Sequence, residues 1–315
     1  MRIKSVCSGS LGLLLACTLM TAAAVAQTAP PVPGTPVHMI VTVEGKHGNQ
    51  PPPVLTKDDV AVYEGKVRDP VVSLIPLQGE HAGLELMILL DDGSGLNLAS
   101  QLNDIRAFIR SQPPTTAISV GYMRNGTVQF TSNLTNDHEQ AAKSLRIPIG
   151  ERGVNGSPYF SLSDVIKRWP PKPVRQEVLM ITDGIDPYGF GTGMEDPYVD
   201  QTISDAQRRG IVVFSIYTSG EGHFSHNFWL ANLGQNFLAK VSEETGGESF
   251  YIGMGNPVSF KPFLDDLSAR LNRQYMLTFS ARPMNKAQFR NVKLHTELPN
   301  TDLAYADRVW VPAGE

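Results

Sequence analysis

The chain has 315 residues, 41% of them hydrophobic and 18% charged, a balance that excludes bulk disorder and allows one large domain or two ordinary ones with full cores. A formal charge of −4 and a pI near 6.0 exclude the broad basic surface that nucleic-acid binding requires, so no nucleic-acid partner is expected. Both cysteines, Cys7 and Cys17, fall in the first 26 residues, which excludes thiol catalysis, disulfides and thiolate metal sites from the rest.

Those first 26 residues form a segment of their own. Arg2 and Lys4 give a positive start, an apolar stretch follows over 11–20, and the run Ala22-Ala23-Ala24-Val25-Ala26 supplies an A-x-A cleavage pattern. The reading is a secretory signal peptide cut after Ala26, hence export to the periplasm, the cell envelope or beyond. The apolar run is too short for a membrane anchor, and no transmembrane helix is expected in the mature chain. A lipoprotein signal ending at Cys17, from Leu14-Leu15-Ala16-Cys17, ranks behind cleavage because Leu15 fits its position imperfectly. Removing Arg2 and Lys4 leaves 25 basic against 31 acidic residues, a net −6.

Residues 27–37 carry four prolines and form an extended or flexible leader. Met39, Val41 and Val43 then alternate with Ile40, Thr42 and Glu44, the period of a strand, and 60–63 and 71–77 predict two more. Residues 38–80 are therefore a small β unit. A largely apolar run at 84–90 predicts a strand buried on both faces, followed by the helical stripe Leu98, Leu102, Ile105 and Ile109. Further apolar runs at 117–122, 128–130, 178–182, 211–217 and 249–252 alternate with helical stripes. Among these are Phe160, Val165 and Ile166, then Leu230, Leu233, Phe237 and Val241. Thr245-Gly246-Gly247 stops that last stripe, and a final helix follows Ser259. Strand–helix alternation over 82–273 predicts a mostly parallel sheet with helices on both faces. The β pattern returns in 274–315. Each β flank alone is marginal in size, so the economical architecture is one small β-sandwich made by both flanks, with the α/β domain inserted in it. Two independent small β domains are the alternative.

Four segments of the α/β region carry a resemblance. Leu84-Glu85-Leu86-Met87-Ile88-Leu89-Leu90-Asp91 is a buried strand ending in aspartate, with Asp92-Gly93-Ser94-Gly95 behind it. Gly156-Ser157-Pro158-Tyr159-Phe160 leads into a helix, Val178-Leu179-Met180-Ile181-Thr182-Asp183-Gly184 is a strand ending in T-D-G, and Glu244-Thr245-Gly246-Gly247 precedes the last strand. In this order they resemble the von Willebrand factor A-type (VWA) domain, specifically its secreted bacterial VWFA-related group. The flank Leu55-Thr56-Lys57-Asp58-Asp59-Val60-Ala61-Val62-Tyr63-Glu64-Gly65 is similar to that group as well. The resemblance implies a Rossmann-like VWA fold and a binding role rather than an enzymatic one.

It also implies a site. In VWA domains an Asp-x-Ser-x-Ser loop, a Thr and an Asp hold a magnesium ion, with a position left open for an acidic group of a protein partner. The candidate ligands here are Asp91, Ser94, Ser157 and Asp183. With Asp91 as first position, which best fits the end of the apolar run, Gly93 and Gly95 replace both serines. With Asp92 first, Ser94 keeps one hydroxyl and Leu96 replaces the other. A hard cation wants oxygen ligands, so Mg2+ (or Ca2+ or Mn2+) is expected to be held weakly or not at all. The plainer reading is that Asp91 and Asp183 only cap loops at the sheet edge.

Two long loops share that edge. One carries Tyr188, Phe190 and Tyr198, the other His223, Phe224, His226, Phe228 and Trp229. Aromatics at such loops suit a partner-binding face, although Phe228 and Trp229 could instead begin a helix and pack inward. His223 and His226 lack a third ligand nearby for a metal. No G-x-G-x-x-G, P-loop, G-x-S-x-G or H-E-x-x-H motif is present. The leading expectation is an exported, adhesion-type protein-binding module with a degenerate metal-dependent adhesion site. A structural cell-envelope scaffold comes second and an extracellular enzyme with an unrecognised site comes last.

Overall fold

The computed structural model describes residues 34–46, 52–153, 156–188, 195–220, 227–253 and 255–314. Strands from the two ends of the chain pair with one another. β1 (Thr35–Gly45) runs antiparallel to β11 (Gln274–Ala281), from Thr35 opposite Ala281 to Thr42 opposite Gln274. With β4 (Val71–Pro76) and β13 (Thr301–Tyr305) they form one sheet in the order β13-β1-β11-β4. A second sheet, β14-β12-β2-β3, joins β2 (Ala61–Glu64) and β3 (Val67–Asp69) to β12 (Gln288–His295) and β14 (Arg308–Val311). The two sheets share one core: Val41 and Phe279 from the first meet Val62, Val292 and Val311 from the second. Neither flank buries these residues without the other, which is why the two halves form one sandwich.

The central sheet has six strands in the order β10-β9-β8-β5-β6-β7. These are β5 (Leu84–Asp91), β6 (Thr116–Arg124), β7 (Thr127–Thr135), β8 (Arg175–Thr182), β9 (Val212–Tyr217) and β10 (Ser249–Phe250). All run parallel except β7, which turns back antiparallel on β6. All eight residues of β5 are buried, Leu86, Ile88 and Leu90 on one face and Met87 and Leu89 on the other. Helices α2 (Leu102–Ser111), α3 (His138–Lys143) and α7 (Lys261–Leu271) cover the first face. Helices α4 (Pro158–Arg168), α5 (Pro197–Arg209) and α6 (Phe228–Glu244) cover the second. Among the described residues no helix is long and apolar enough to cross a membrane.

Two elements differ from the sequence reading. The stripe from Leu98 to Ile109 is not one helix but two, a short α1 (Gly95–Ala99) and then α2. The break falls at Gln101, whose amide donates to the Pro257 carbonyl (3.1 Å) and accepts from the Phe260 N–H (3.1 Å), ties to the start of α7 that compete with a continuous helix. The apolar run at 128–130 extends into the nine residues of β7, an edge strand whose exposed Gln129, Phe130 and Thr131 blur the alternation.

Candidate functional site

Parallel α/β sheets bind ligands at the carboxyl ends of their strands. Here β5 and β8, hydrogen-bonded neighbours, end side by side in Asp91 and in Thr182 followed by Asp183. Asp91 and Asp183 are 2% and 3% exposed, so neither can be left ionised without partners. Asp91 accepts from the Gly93 N–H (2.8 Å) and from the Thr182 hydroxyl (2.7 Å). Asp183 accepts from the Ile185 N–H at 2.9 Å. The chain leaves β8 through Gly184 at φ +67°, where a Cβ would lie 2.4 Å from the Gly234 carbonyl of α6, so a glycine is required on both counts.

The remaining partner of both carboxylates is Arg152. Its Nη2 lies 3.0 Å from Asp91 Oδ2 and also contacts Asp183 Oδ2, while Nη1 is 3.4 Å from the Ile185 carbonyl. Burial alone would drive this guanidinium's pKa down, but Asp183 and Asp91 outweigh burial and keep it above its ordinary value. Burial pushes the Asp183 carboxyl above the usual carboxylate range; Arg152 opposes that shift and Asp91 adds to it. The loop that delivers Arg152 is tied to the sheet edge at several points. Arg146 makes a bidentate pair with buried Asp92 (2.7 and 2.8 Å) and lies over the Tyr122 ring at 3.8 Å. The Ile149 N–H donates to Asp92 Oδ1 at 3.1 Å, and the Arg152 carbonyl accepts from the Asn125 N–H at 2.9 Å.

Ser157 begins α4 as its N-cap, accepting from the Phe160 N–H at 3.4 Å and donating to Asp186 Oδ2 at 3.0 Å. Burial raises the pKa of Asp186, with Asp196 adding to it. Tyr159, fully buried, donates to the Gly184 carbonyl at 2.8 Å and braces the same loop. Ser94 lies in the 3-10 turn after Asp91 with its hydroxyl buried and without a hydrogen-bond partner.

A divalent ion needs several oxygens converging on one point, and this arrangement does not fit one. Gly93 and Gly95 bring no hydroxyl, the hydroxyls of Thr182 and Ser157 are turned to Asp91 and Asp186, and a guanidinium stands against both aspartates. Arg152, Arg146, Thr182 and Asp186 were all missed by the sequence reading. The accessible signal was the charged run Gly150-Glu151-Arg152-Gly153 just upstream of the Gly156-Ser157 loop.

Around this polar centre the edge is apolar. Of fifteen exposed large apolar side chains among the described residues, ten lie at this end of the sheet. Leu96 follows β5, Ile147 and Ile149 sit on the Arg152 loop, and Tyr188 and Tyr198 flank the segment after β8. Phe228 and Trp229 open α6, Tyr251 and Ile252 follow β10, and Val258 precedes α7. Tyr188 stacks on Phe160 (5.4 Å between centroids) and Tyr198 meets Phe160 edge-on (4.7 Å). Phe228 and Trp229 begin a helix, but at 68% and 54% exposure they do not pack inward. Phe190, His223, Phe224 and His226 lie outside the described residues.

The α/β unit is a six-stranded, mostly parallel sheet with helices on both faces, and it gathers the D-D-G-S-G, G-S-P and T-D-G segments at its carboxyl edge. Among solved structures the chain is similar to an aerotolerance-related membrane protein from Bacteroides fragilis, with a TM-score of 0.44 and 14% identity over 60% of this chain and 99% of that one. It is also similar to the ArnB paralog VWA2 from Sulfolobus acidocaldarius (TM-score 0.39, 9% identity, 88% of this chain and 76% of that one). A third similarity is to the SpRpn10 VWA domain (TM-score 0.38, 15% identity, 58% and 92%). No family model and no curated protein matches the sequence.

Proposed function

We propose that the chain is an exported protein-binding module that engages a protein partner through the carboxyl edge of its α/β sheet, in an adhesion-type rather than a catalytic role. The observation that carries the proposal is the concentration of ten exposed large apolar side chains on the loops and helix starts at the carboxyl end of the sheet that also bears Asp91, Arg152 and Asp183. Scattered exposed apolar residues are ordinary, whereas their concentration with aromatic side chains at one end of a sheet is the composition of an interface. The polar centre supports binding over catalysis because its groups are spent on one another: Ser157 caps a helix, and both aspartates hold the arginine. With two carboxylates around one guanidinium the centre carries no net positive charge, which disfavours an acidic group of the partner there. The apolar edge is the recognition element, and Arg152 holds its loops in place.

The test is binding of a partner purified from the cell envelope to the wild-type chain and to Trp229→Ala, Tyr198→Ala and Ile147→Ser variants that keep the wild-type melting temperature. Loss of binding in the variants supports this reading. Full binding and full cellular function in a variant carrying all three changes contradicts it and favours the envelope-scaffold reading.

A further inference from the structure

We propose that Arg152 is a tethered cation that has taken the place of the divalent ion at this edge, so that the face is built to work without metal. The proposal rests on the VWA-type reading of the site, but its test needs no partner, so the two can fail separately.

Three features of the structure carry it. The first is position: a single nitrogen, Nη2, contacts one oxygen of Asp91 and one of Asp183, the two carboxylates that close the neighbouring strands β5 and β8. A metal placed between those carboxylates would meet a fixed positive charge within contact distance.

The second is space. A Cβ on Gly93 would fall 2.4 Å from Arg152 Cγ, one on Gly156 would fall 2.6 Å from Arg152 Cβ, and one on Gly220 would fall 2.5 Å from Asp183 Oδ2 and 3.2 Å from Arg152 Nη2. Three glycines from three separate loops leave room for one arginine and its partner. Gly93 is the position at which the family resemblance leads one to expect a serine ligand. The hydroxyl that a metal would want and the volume that the arginine takes are the same place, so the missing serine and the present arginine are two sides of one substitution.

The third is anchoring. The Arg152 carbonyl is held by the Asn125 N–H (2.9 Å), Gly150 N–H donates to the Asp92 carbonyl (2.9 Å), and Arg146 clamps the Asp92 carboxylate. Arginine's planar fork is suited to holding carboxylates in a partly dry site and stays charged there. Unlike a bound ion, it cannot dissociate.

The test is a double-mutant cycle with a metal titration. Calorimetry of the full chain with MgCl2 and MnCl2 to about 10 mM is expected to give no saturable heat, and the melting temperature is expected to be the same in EDTA. Gly93→Ser is expected to lower the melting temperature markedly in the wild type, and little or not at all in the Arg152→Ala background, where the Cγ it would strike is gone. The Gly93→Ser/Arg152→Ala variant is expected to gain a melting temperature that rises with MnCl2. Equal cost of Gly93→Ser in both backgrounds overturns the proposal, and so does saturable Mn2+ uptake by the wild type. The wild-type titration decides even if a variant does not accumulate, since absence of uptake supports the proposal and uptake contradicts it.

Discussion

Replacing Arg152 with alanine removes the shared partner of two carboxylates that are 2% and 3% exposed. At 3.0 Å the Asp91 contact alone has a gross attraction of about 5 kcal/mol at an effective dielectric constant near 20, most of it offset by desolvation of the two ions. The guanidinium side chain is 23% exposed, so solvent screens it only partly. Deleting one member of a buried pair strands the other, and the expected cost is about 3–5 kcal/mol near pH 8. The cheapest response of the variant is protonation of Asp183, whose carboxyl burial and Asp91 already push above its ordinary range and which loses the opposing pull of Arg152. Stability from such a group is full below the unfolded pKa and is lost as pH rises through the folded value, so the deficit should shrink toward pH 5. Urea denaturation of wild type and Arg152→Ala near pH 8 and near pH 5 measures both numbers. A cost under about 1 kcal/mol near pH 8, or the same cost at both pH values, would refute the view that Arg152 neutralises this pair.

Burial raises the pKa of Glu177, in β8, from 4.5 to about 7 against the pull of Arg175. The folded state thus holds that proton more tightly, and stability is lost as pH rises from about 4.5 through about 7. Glu177→Gln is therefore expected to exceed the parent by up to about 3 kcal/mol near pH 8 and to match it near pH 4, checked by thermal melts at both. Ser157→Ala removes the N-cap of α4 and a donor to buried Asp186, with an expected loss of about 2 kcal/mol in urea denaturation. Trp229→Ala, at an exposed position, is expected to change stability by no more than about 0.5 kcal/mol while weakening partner binding about tenfold or more, read by surface-immobilised binding.

The layer structure was legible because it is written in local periodicity and length. The apolar run of β5, interrupted only by Glu85 near its start, pointed to a strand covered on both faces, and the marginal size of each β flank pointed to a shared sandwich. Periodicity failed where tertiary contacts overrode it, at Gln101 between α1 and α2, and on the half-exposed edge strand β7. It also says nothing of orientation in a first helical turn, which is why Phe228 and Trp229 were open to an inward reading that their exposure overturns. At the site, Asp91 and Asp183 were visible as strand ends. Arg152 was not, because its partners come from elements distant in the chain and its loop has no period. Gly93 illustrates the limit best: in sequence it is an absent ligand, and in the fold it is the room an arginine occupies.

The most direct test of the account is a crystal structure of the chain grown with MnCl2 and examined for anomalous scattering at the carboxyl edge of β5 and β8. The account predicts the Arg152 guanidinium between Asp91 and Asp183, with no manganese peak between them. A manganese peak bridging the two aspartates, with Arg152 turned out toward solvent, would contradict it.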